Sequence, residues 1–135
     1  RALEGITGTT VVHICFGYAA IVGHAKPAGY SFLPELHDCG CKQVSIETAQ
    51  SGLDCSVLAK LAGKQIMVGA INLNDIDVET PELVVARIKR ALPYVNPENV
   101  IIAPDCGMKY LTREAAFGKL KALAEGAAIV RQELS

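Results

Sequence analysis

The chain has 135 residues, of which 50% are hydrophobic and 20% are charged, a composition typical of one folded domain or of part of a larger one. Thirteen basic and fourteen acidic residues leave a net charge of -1, which argues against binding to nucleic acid or to a membrane surface, because both favour a basic excess. The absence of Trp and an aromatic content of 5% also argue against a surface on which bases stack.

The five cysteines of the chain are an odd number, so they cannot all pair with one another. Residues 1–10 contain no long apolar stretch of the kind found in secretory signals, so we expect reduced thiols and a cytoplasmic location. Reduced cysteines favour metal binding or catalysis over disulfides. No apolar run reaches the ~18 residues of a membrane span. A start at Arg1 rather than Met is consistent with a position inside a longer protein.

Four short runs rich in β-branched residues alternate with longer helical patterns. The runs predict strands over residues 9–17, 43–47, 66–72 and 100–107, and their nearly continuous apolar character is typical of parallel strands covered on both faces. Helices are expected over residues 31–39, 51–61, 81–92 and 113–133, the last two after the N-caps Thr80 and Thr112. The residues expected to face inward are Leu83, Val84, Ile88, Ala91 and Leu92 on the third helix and Leu120, Leu123, Ala127 and Val130 on the fourth.

The predicted fold class is α/β, with parallel (βα) units joined by right-handed crossovers. Four such units form either a small open sheet or one half of a (βα)8 TIM-type barrel, since whole barrels have ~250 residues. The stretch over residues 17–30 is rich in Gly, Ala and Pro and is predicted to be one long loop. Loops of that length in a compact domain are often functional.

Four possible metal ligands lie where predicted strands end, namely His13, Cys15, Glu47 and Cys106. His13 and Cys15 are two positions apart, so both side chains point to the same face of a strand. The carboxyl ends of parallel strands meet at one edge, where ligands bind in such folds. One imidazole, two thiols and one carboxylate are a suitable tetrahedral set for Zn2+, although each alone has an ordinary structural explanation. Asp105, next to Cys106, is expected to orient a neighbouring ligand.

Other polar residues near the same edge have two interpretations each. Asn72, Asn74 and Asp75 follow the third strand, and they either contact a substrate or cap the loop. Lys109 either contacts an anionic substrate group or is an ordinary surface charge. We take substrate contact as the prediction for Asn72 and Lys109.

The remaining cysteines and histidines carry weaker signals. Cys39 and Cys41 precede the second strand, at the opposite edge of the sheet, so a structural role is favoured over metal or redox chemistry. Cys55 is expected to pack within a helix. His24 and His37 have no obvious partner.

A His-x-Cys pattern at His13 and Cys15, an Ile-Glu pattern at Glu47 and Pro-Asp-Cys-Gly-Met-Lys at 104–109 occur together. This combination resembles the C-terminal catalytic domain of cobalamin-independent methionine synthase, in particular short stand-alone bacterial proteins of this type. The resemblance extends over residues 11–130. It implies a (βα)8 barrel in which the four candidate ligands bind Zn2+, and S-methyltransferase activity that converts homocysteine to methionine.

By this resemblance, residues 1–135 are the C-terminal half of a zinc methyltransferase barrel, with strands five to eight. In the family, the N-terminal half supplies much of the site for the amino acid and the methyl donor, and that half is not in this chain. An open half-barrel exposes its inner face and two strand edges, so we expect the missing half or self-association to complete it. The isolated 135 residues are predicted to be inactive.

One stretch departs from the family pattern. The long synthases have Asp-Ile-His-Ser after this strand, and that His is the presumed proton donor to the leaving folate. The present chain has Asn-Leu-Asn-Asp at residues 72–75. Asn74 cannot act as an acid, so either Asp75 takes the catalytic role or the methyl donor is a methyl-corrinoid, whose leaving group needs no proton.

Two other functions are compatible with the same residues. A zinc-bound thiolate could attack a different electrophile, as in the related transferases that join an epoxide to coenzyme M. The chain could also be an inactive half-barrel fragment with a structural zinc or none. A barrel decarboxylase of the related uroporphyrinogen type is disfavoured, because that chemistry needs no thiolate–zinc set.

Overall fold

The computed structural model describes residues 2–17 and 29–135, and within them four parallel strands form one sheet. The strands are β1 (Val11–Ile14), β2 (Gln43–Glu47), β3 (Gln65–Ile71) and β4 (Val100–Pro104). The α-helices are α1 (Leu33–His37), α2 (Pro81–Ala91) and α3 (Arg113–Glu133), and 3-10 helices cover Cys55–Leu61 and Pro97–Asn99. The predicted α/β class with parallel (βα) units is confirmed.

The strand order follows the order of the chain. Each strand pairs in parallel with the next one, which gives β1-β2-β3-β4, and His13, Ser45, Met67 and Ile101 lie side by side in one row. A doubly wound sheet reverses its strand order part way along the chain, whereas a (βα)8 barrel does not. The observed order is therefore that of consecutive barrel strands. The assignment of residues 1–135 to strands five to eight stays a prediction.

The two longer helices begin at side-chain caps, as the sequence predicts. The Thr80 hydroxyl accepts a hydrogen bond from the backbone N–H of Leu83, and the Thr112 hydroxyl accepts one from that of Ala115. These bonds satisfy N–H groups that have no acceptor within the first helical turn. In the described parts of the chain, no helix is both long and apolar enough to cross a membrane.

The helix expected over residues 51–61 begins later than predicted and has the 3-10 form. Gly52 adopts a positive φ of 62°, outside the helical region, and the Ser51 hydroxyl donates to the carbonyl oxygen of Glu47. The chain therefore turns before it can become helical, and the first helical residue is Cys55. The side chain of Cys55 is buried in the core, in agreement with its predicted packing role.

The core lies between one face of the sheet and the helices. Ile46 of β2 and Val68 of β3 are buried on that face, and they share a cluster with Ile14, Leu33, Val44, Leu53, Leu58, Leu61 and Ile66. Val84 and Ile88 of α2 belong to a second cluster, which also contains Ala70, Ile71, Ala122, Leu123, Ala127 and Val130.

The predicted inward positions of two leucines are wrong. Leu83 is 43% exposed and Leu120 is 46% exposed. Leu83 precedes Val84, so it is turned by one helical step of about 100° away from the packed line formed by Val84 and Ile88. Leu120 borders an apolar groove between α3 and β4, the last strand of the described sheet.

The opposite face of the sheet is more polar. Gln43 donates through its side-chain amide to Gln65 on the neighbouring strand, at 2.6 Å, and both side chains are half-buried. His13 and Ser45 form a second cross-strand pair. The strands therefore carry apolar residues towards the helices and a mixture of polar and apolar residues on the other face, and the candidate metal ligands belong to this second face.

A buried ion-pair cluster fixes the loop between β3 and α2. Lys119 of α3 has no exposed side-chain surface, and its ammonium group donates to Glu79 Oε2 and to the carbonyl oxygen of Asn72, each at 3.0 Å. Arg87 of α2 donates to Glu79 Oε1 at 2.9 Å, and the Asn72 N–H donates to the same oxygen at 2.8 Å. Removal of one partner from a buried pair leaves an uncompensated charge. The cluster therefore holds residues 72–79 beside the carboxyl ends of the strands.

Glu79→Gln tests this cluster through the pH dependence of stability. Burial raises the pKa of Glu79, but hydrogen bonds from Lys119, Arg87 and the Asn72 N–H outweigh burial and lower the pKa below its ordinary 4.5. A lowered pKa means that the carboxylate stabilises the fold above pH 4.5, and that this contribution is lost as the pH falls through the folded-state pKa. We expect Glu79→Gln to lower the free energy of unfolding near neutral pH by about 3–5 kcal/mol.

The measurement is urea unfolding at a series of pH values from neutral to acidic. The difference between wild type and Glu79→Gln should shrink below pH 4.5. Glu125→Gln is the matched control, because Glu125 is an exposed glutamate in a surface ion pair. Its Oε1 atom lies 3.8 Å from Nζ of Lys121. A difference for Glu79→Gln that stays constant with pH would contradict the assigned role of its charge.

Candidate metal centre

Three of the four predicted ligands come together at the carboxyl ends of the strands. The ligand atoms of His13, Cys15 and Cys106 all lie within 4.8 Å of one another. The Sγ atoms of Cys15 and Cys106 are 3.9 Å apart. His13 belongs to β1, Cys15 directly follows β1, and Cys106 follows β4.

The approach of the two sulfur atoms requires a curved sheet. Cys15 and Cys106 follow the first and last strands of the order β1-β2-β3-β4. Neighbouring strands lie about 4.8 Å apart, so the outer two of four strands in a flat sheet would be separated by about 14 Å. A Sγ–Sγ distance of 3.9 Å therefore means that the carboxyl ends converge across a concave face. Such curvature is the one that closes a barrel.

His13 is oriented by a hydrogen bond to the neighbouring strand. Its Nδ1 atom lies 2.9 Å from the hydroxyl oxygen of Ser45, directly opposite it in the parallel register. When Nδ1 is the donor, Nε2 keeps the lone pair that a metal ion requires. A hydrogen bond of this kind at the second ring nitrogen is the usual way in which a metal-binding imidazole is oriented.

The electrostatics around Cys15 favour a cation. Burial raises the pKa of the Cys15 thiol, and the negative charges of Cys106 and Glu47 raise it further, against a hydrogen bond from the backbone of Gly17. The Cys15 thiol therefore resists ionisation when no cation is bound beside it. A bound divalent cation reverses that balance, because it stabilises the thiolate directly.

Glu47, the fourth predicted ligand, lies beside the three-residue group rather than in it. Its carboxylate is fully buried, and Oε1 accepts hydrogen bonds from the backbone N–H of Phe16 and from the hydroxyl of Tyr30, both at 3.0 Å. Because Phe16 directly follows Cys15, its hydrogen bond places the Glu47 carboxylate near the cluster. The ligand role of Glu47 stays a prediction.

Tyr30 is a site residue that the sequence analysis missed. Its side chain is buried, and burial raises the pKa of its hydroxyl, as does the adjacent negative charge of Glu47, so the group remains a hydrogen-bond donor. The available signal was its position at the end of the loop over residues 17–30, which was predicted to be functional. Residues 18–28 of that loop, including His24, lie outside the described residues.

Asp105 connects the end of β4 to the loop that follows β2. Its buried carboxylate accepts hydrogen bonds from the backbone N–H groups of Thr48 and Ala49 at 3.1 Å and of Gln50 at 2.6 Å. Burial raises its pKa to about 6, although these donors act in the opposite direction. Because Asp105 precedes Cys106, the same bonds constrain the backbone that carries the thiol. An effect of Asp105 on a bound metal stays a prediction.

The carboxylate of Asp105 reaches this loop by crossing β3 at a glycine. A Cβ atom on Gly69 would overlap Oδ1 of Asp105 and would lie 2.8 Å from the Asp105 Cα. The carbonyl oxygen of Gly69 also accepts a hydrogen bond from the Thr48 hydroxyl at 2.8 Å. A larger residue at position 69 would therefore separate β4 from the loop after β2.

Asn72, Asn74 and Asp75 form a local network in the loop after β3. The Asn72 side chain donates to Asp75 Oδ2 at 3.2 Å and accepts from the Asn74 N–H at 2.8 Å. Asp75 also accepts from the N–H of Asp77. The loop-capping interpretation thus describes these contacts, while substrate binding by Asn72 and catalysis by Asn74 or Asp75 stay predictions.

Lys109 lies two residues beyond the end of the Pro-Asp-Cys-Gly stretch, on the exposed surface. Its ammonium group is 4.8 Å from the centre of the Tyr110 ring, which is a cation–π distance. The predicted contact of Lys109 with an anionic substrate group stays a prediction.

Cys39 and Cys41 lie at the other end of the sheet, as expected. They precede β2, and the Lys64 ammonium group donates to both of their carbonyl oxygens, at 2.7 and 2.8 Å. A hydrogen bond from the backbone of Cys41 lowers the pKa of Cys39, and burial raises the pKa of Cys41. These contacts support the structural interpretation.

The fold and the cluster together define a parallel α/β protein that gathers thiol and imidazole ligands at the carboxyl ends of its strands. Residues 26–129 match the protein family described as cobalamin-independent synthase, catalytic domain. The chain belongs to this family, as the resemblance predicts.

Individual relatives agree with this assignment. A methionine synthase of Sulfurisphaera tokodaii is 34% identical over 135 residues, which are 99% of this chain and 37% of the relative. A methionine synthase of Thermococcus kodakarensis is 31% identical and is matched over 38% of its length. The structure of a B12-independent methionine synthase from Shewanella sp. W3-18-1 in complex with selenomethionine superposes with a TM-score of 0.88 at 33% identity, over 98% of this chain and 41% of that one. The chain thus spans about two fifths of the length of these relatives.

Asp105→Asn tests the connection between β4 and the loop after β2. Asparagine keeps one acceptor oxygen but turns an amide group towards a backbone N–H, so one buried donor loses its acceptor. We expect the free energy of unfolding to fall by about 1–3 kcal/mol, measured by urea unfolding. Asp38→Asn is the control, because the Asp38 side chain is 88% exposed, and it should change stability little. Equal stabilities for the two variants would contradict the assigned role.

Proposed function

We propose that this chain carries the zinc-binding part of a methyltransferase that converts homocysteine to methionine. The observation that supports the proposal is the group of His13, Cys15 and Cys106, whose ligand atoms lie within 4.8 Å of one another. Family membership supports the reaction class, and the names of the relatives supply the product.

The donor set fits zinc better than a hard cation. Two thiolates and one imidazole are typical zinc ligands, whereas magnesium and calcium prefer oxygen atoms. Glu47, buried beside the group, is the proposed fourth ligand, in a position that substrate can exchange. When bound, zinc supplies the Lewis acidity that keeps a substrate sulfur ionised near neutral pH.

The chain's own residues would keep a zinc-bound acceptor sulfur reactive. A free thiol has a pKa of about 8.5 and is mostly protonated at neutral pH, although the thiolate is the nucleophile. Cys15, Cys106 and Glu47 together would bring three negative charges to the centre, which leaves the substrate sulfur electron-rich and reactive. In the transfer, a carbon–sulfur bond forms, the bond between methyl and donor breaks, and the donor keeps that electron pair.

The methyl donor is proposed to be either a methyltetrahydrofolate or a methyl-corrinoid protein. A folate leaves through a nitrogen atom that must gain a proton, and Asp75 is the proposed acid because Asn74 cannot serve. A corrinoid needs no such proton. Lys109 and Asn72 are the proposed substrate contacts. The ion-pair cluster of Lys119 supports these roles, because it holds the loop that carries Asn72 and Asp75.

The remaining part of the active site is proposed to come from polypeptide outside these residues. The relatives that match this chain are more than twice as long, and the face of the sheet that carries the candidate ligands is concave. Either an N-terminal half or a second copy of the chain would supply the other strands of a barrel. The five free cysteines support the proposed cytoplasmic location.

One other transferase reaction is compatible with the same cluster. The ligand group selects for a thiol, but nothing in it selects the electrophile, so transfer of an epoxide carbon to coenzyme M is the alternative reaction. An inactive fragment is the non-enzymatic alternative.

Zinc content tests the metal proposal. We expect about one zinc per chain in the wild type and a loss of most of it in Cys106→Ala, because two thiolates provide much of the affinity. Elemental analysis after dialysis measures the content, on the chain and on its longest natural form. Cys39→Ala is the matched control, since Cys39 lies at the other end of the sheet, and it should retain zinc. Equal zinc content in the two variants would contradict the assignment.

Methyl transfer to homocysteine with two donors tests the reaction, on the longest natural form. If the donor is a folate, Asp75→Asn should lower kcat at least a hundredfold, since a positioned acid contributes about 10²–10⁴-fold. If the donor is a methyl-corrinoid, Asp75→Asn should have little effect. Asp77→Asn is the control in the same loop. Transfer of an epoxide carbon to coenzyme M, with no methionine formed from either donor, would support the alternative reaction instead.

A further inference from the structure

Two hydrogen-bond donors hold the Glu47 carboxylate beside the candidate metal ligands. Its Oε1 atom accepts from the Tyr30 hydroxyl and the Phe16 N–H, both at 3.0 Å, and its side chain is fully buried. Tyr30 is only 5% exposed. A buried carboxylate is strongly destabilised without donors, so these two bonds stabilise its present position.

Aromatic rings pack against Tyr30 in this position. Its ring stacks on Phe16, with centroids 4.4 Å apart and an interplanar angle of 7°. Phe32 packs edge-on against Tyr30, with centroids 5.6 Å apart. Phe16 directly follows Cys15 in the chain, so the two donors to Glu47 are attached to the backbone that carries a metal ligand.

We propose that Tyr30 is a positioning residue that holds the Glu47 carboxylate off the metal and so determines how readily Glu47 gives way to a substrate thiolate. The inference rests on the proposed zinc site and extends it. A carboxylate that leaves a metal in a buried site needs hydrogen-bond donors at its destination. Tyr30 and Phe16 provide them before substrate arrives, and the Tyr30 hydroxyl adds no charge.

The proposal has a definite consequence for zinc affinity. In the absence of thiol, metal and Tyr30 compete for the same carboxylate. Loss of the hydroxyl weakens only the off-metal state, so zinc should bind more tightly. In the presence of thiol, the displaced carboxylate has one donor fewer, so exchange of Glu47 for the substrate sulfur should be less complete.

Tyr30→Phe is the test, because phenylalanine preserves the aromatic stack and removes only the hydroxyl. We expect zinc affinity without thiol to rise about tenfold, the effect of one hydrogen bond to a charged acceptor, measured by competition with a chelator. Zinc K-edge absorption with homocysteine should show oxygen replaced by sulfur in the wild type and largely retained in the variant. Tyr94→Phe, at a 43% exposed tyrosine, is the matched control and should match the wild type in both measurements.

A double variant keeps the test specific to the carboxylate. In a Glu47→Gln background, Tyr30→Phe should leave zinc affinity unchanged, since the competing ligand has been removed. Unchanged or weaker zinc binding by Tyr30→Phe alone, or an equal effect in both backgrounds, would overturn the inference. Wild-type protein that binds zinc, and loses it in Cys106→Ala, would then still support the proposed function. Wild-type protein without zinc would overturn both.

Discussion

The candidate site depends on the contact that Asp105 makes across Gly69. The carboxylate at the end of β4 passes over β3, where glycine has no side chain, and caps three N–H groups of the loop after β2. A buried acid with its pKa raised to about 6 is retained there because those donors compensate it. This contact draws the last strand towards the second strand, and the backbone that carries Cys106 is constrained with it.

Curvature then decides which residues meet. Cys15 and Cys106 follow opposite edges of the described sheet, yet their sulfur atoms are 3.9 Å apart. The convergence concentrates thiols and a carboxylate in a partly buried place, which raises the pKa of Cys15. Buried negative charge at such a place must be stabilised by hydrogen-bond donors. For Glu47, the Tyr30 hydroxyl and the Phe16 N–H are two such donors.

Much of this arrangement was predictable because it is local. Parallel strands place their carboxyl ends at one edge, and a two-residue spacing puts His13 and Cys15 on one face, so the ligand types at strand ends already indicated a metal site. The helix caps at Thr80 and Thr112 were likewise predictable from a few adjacent residues. The late start of the 3-10 helix was missed, because the φ of Gly52 is set by the turn around it.

The sequence by itself determined the α/β class, the alternation of strands and helices and the chemical kinds of ligand, since periodicity and residue type are local properties of the chain. Only the tertiary structure decided that Cys15 and Cys106 meet and that the hydroxyl of Tyr30 binds the carboxylate of Glu47. These contacts join residues 91 and 17 positions apart. They follow from the curvature of the sheet and from the packing of Tyr30 against Phe16 and Phe32, which no short pattern of residues encodes.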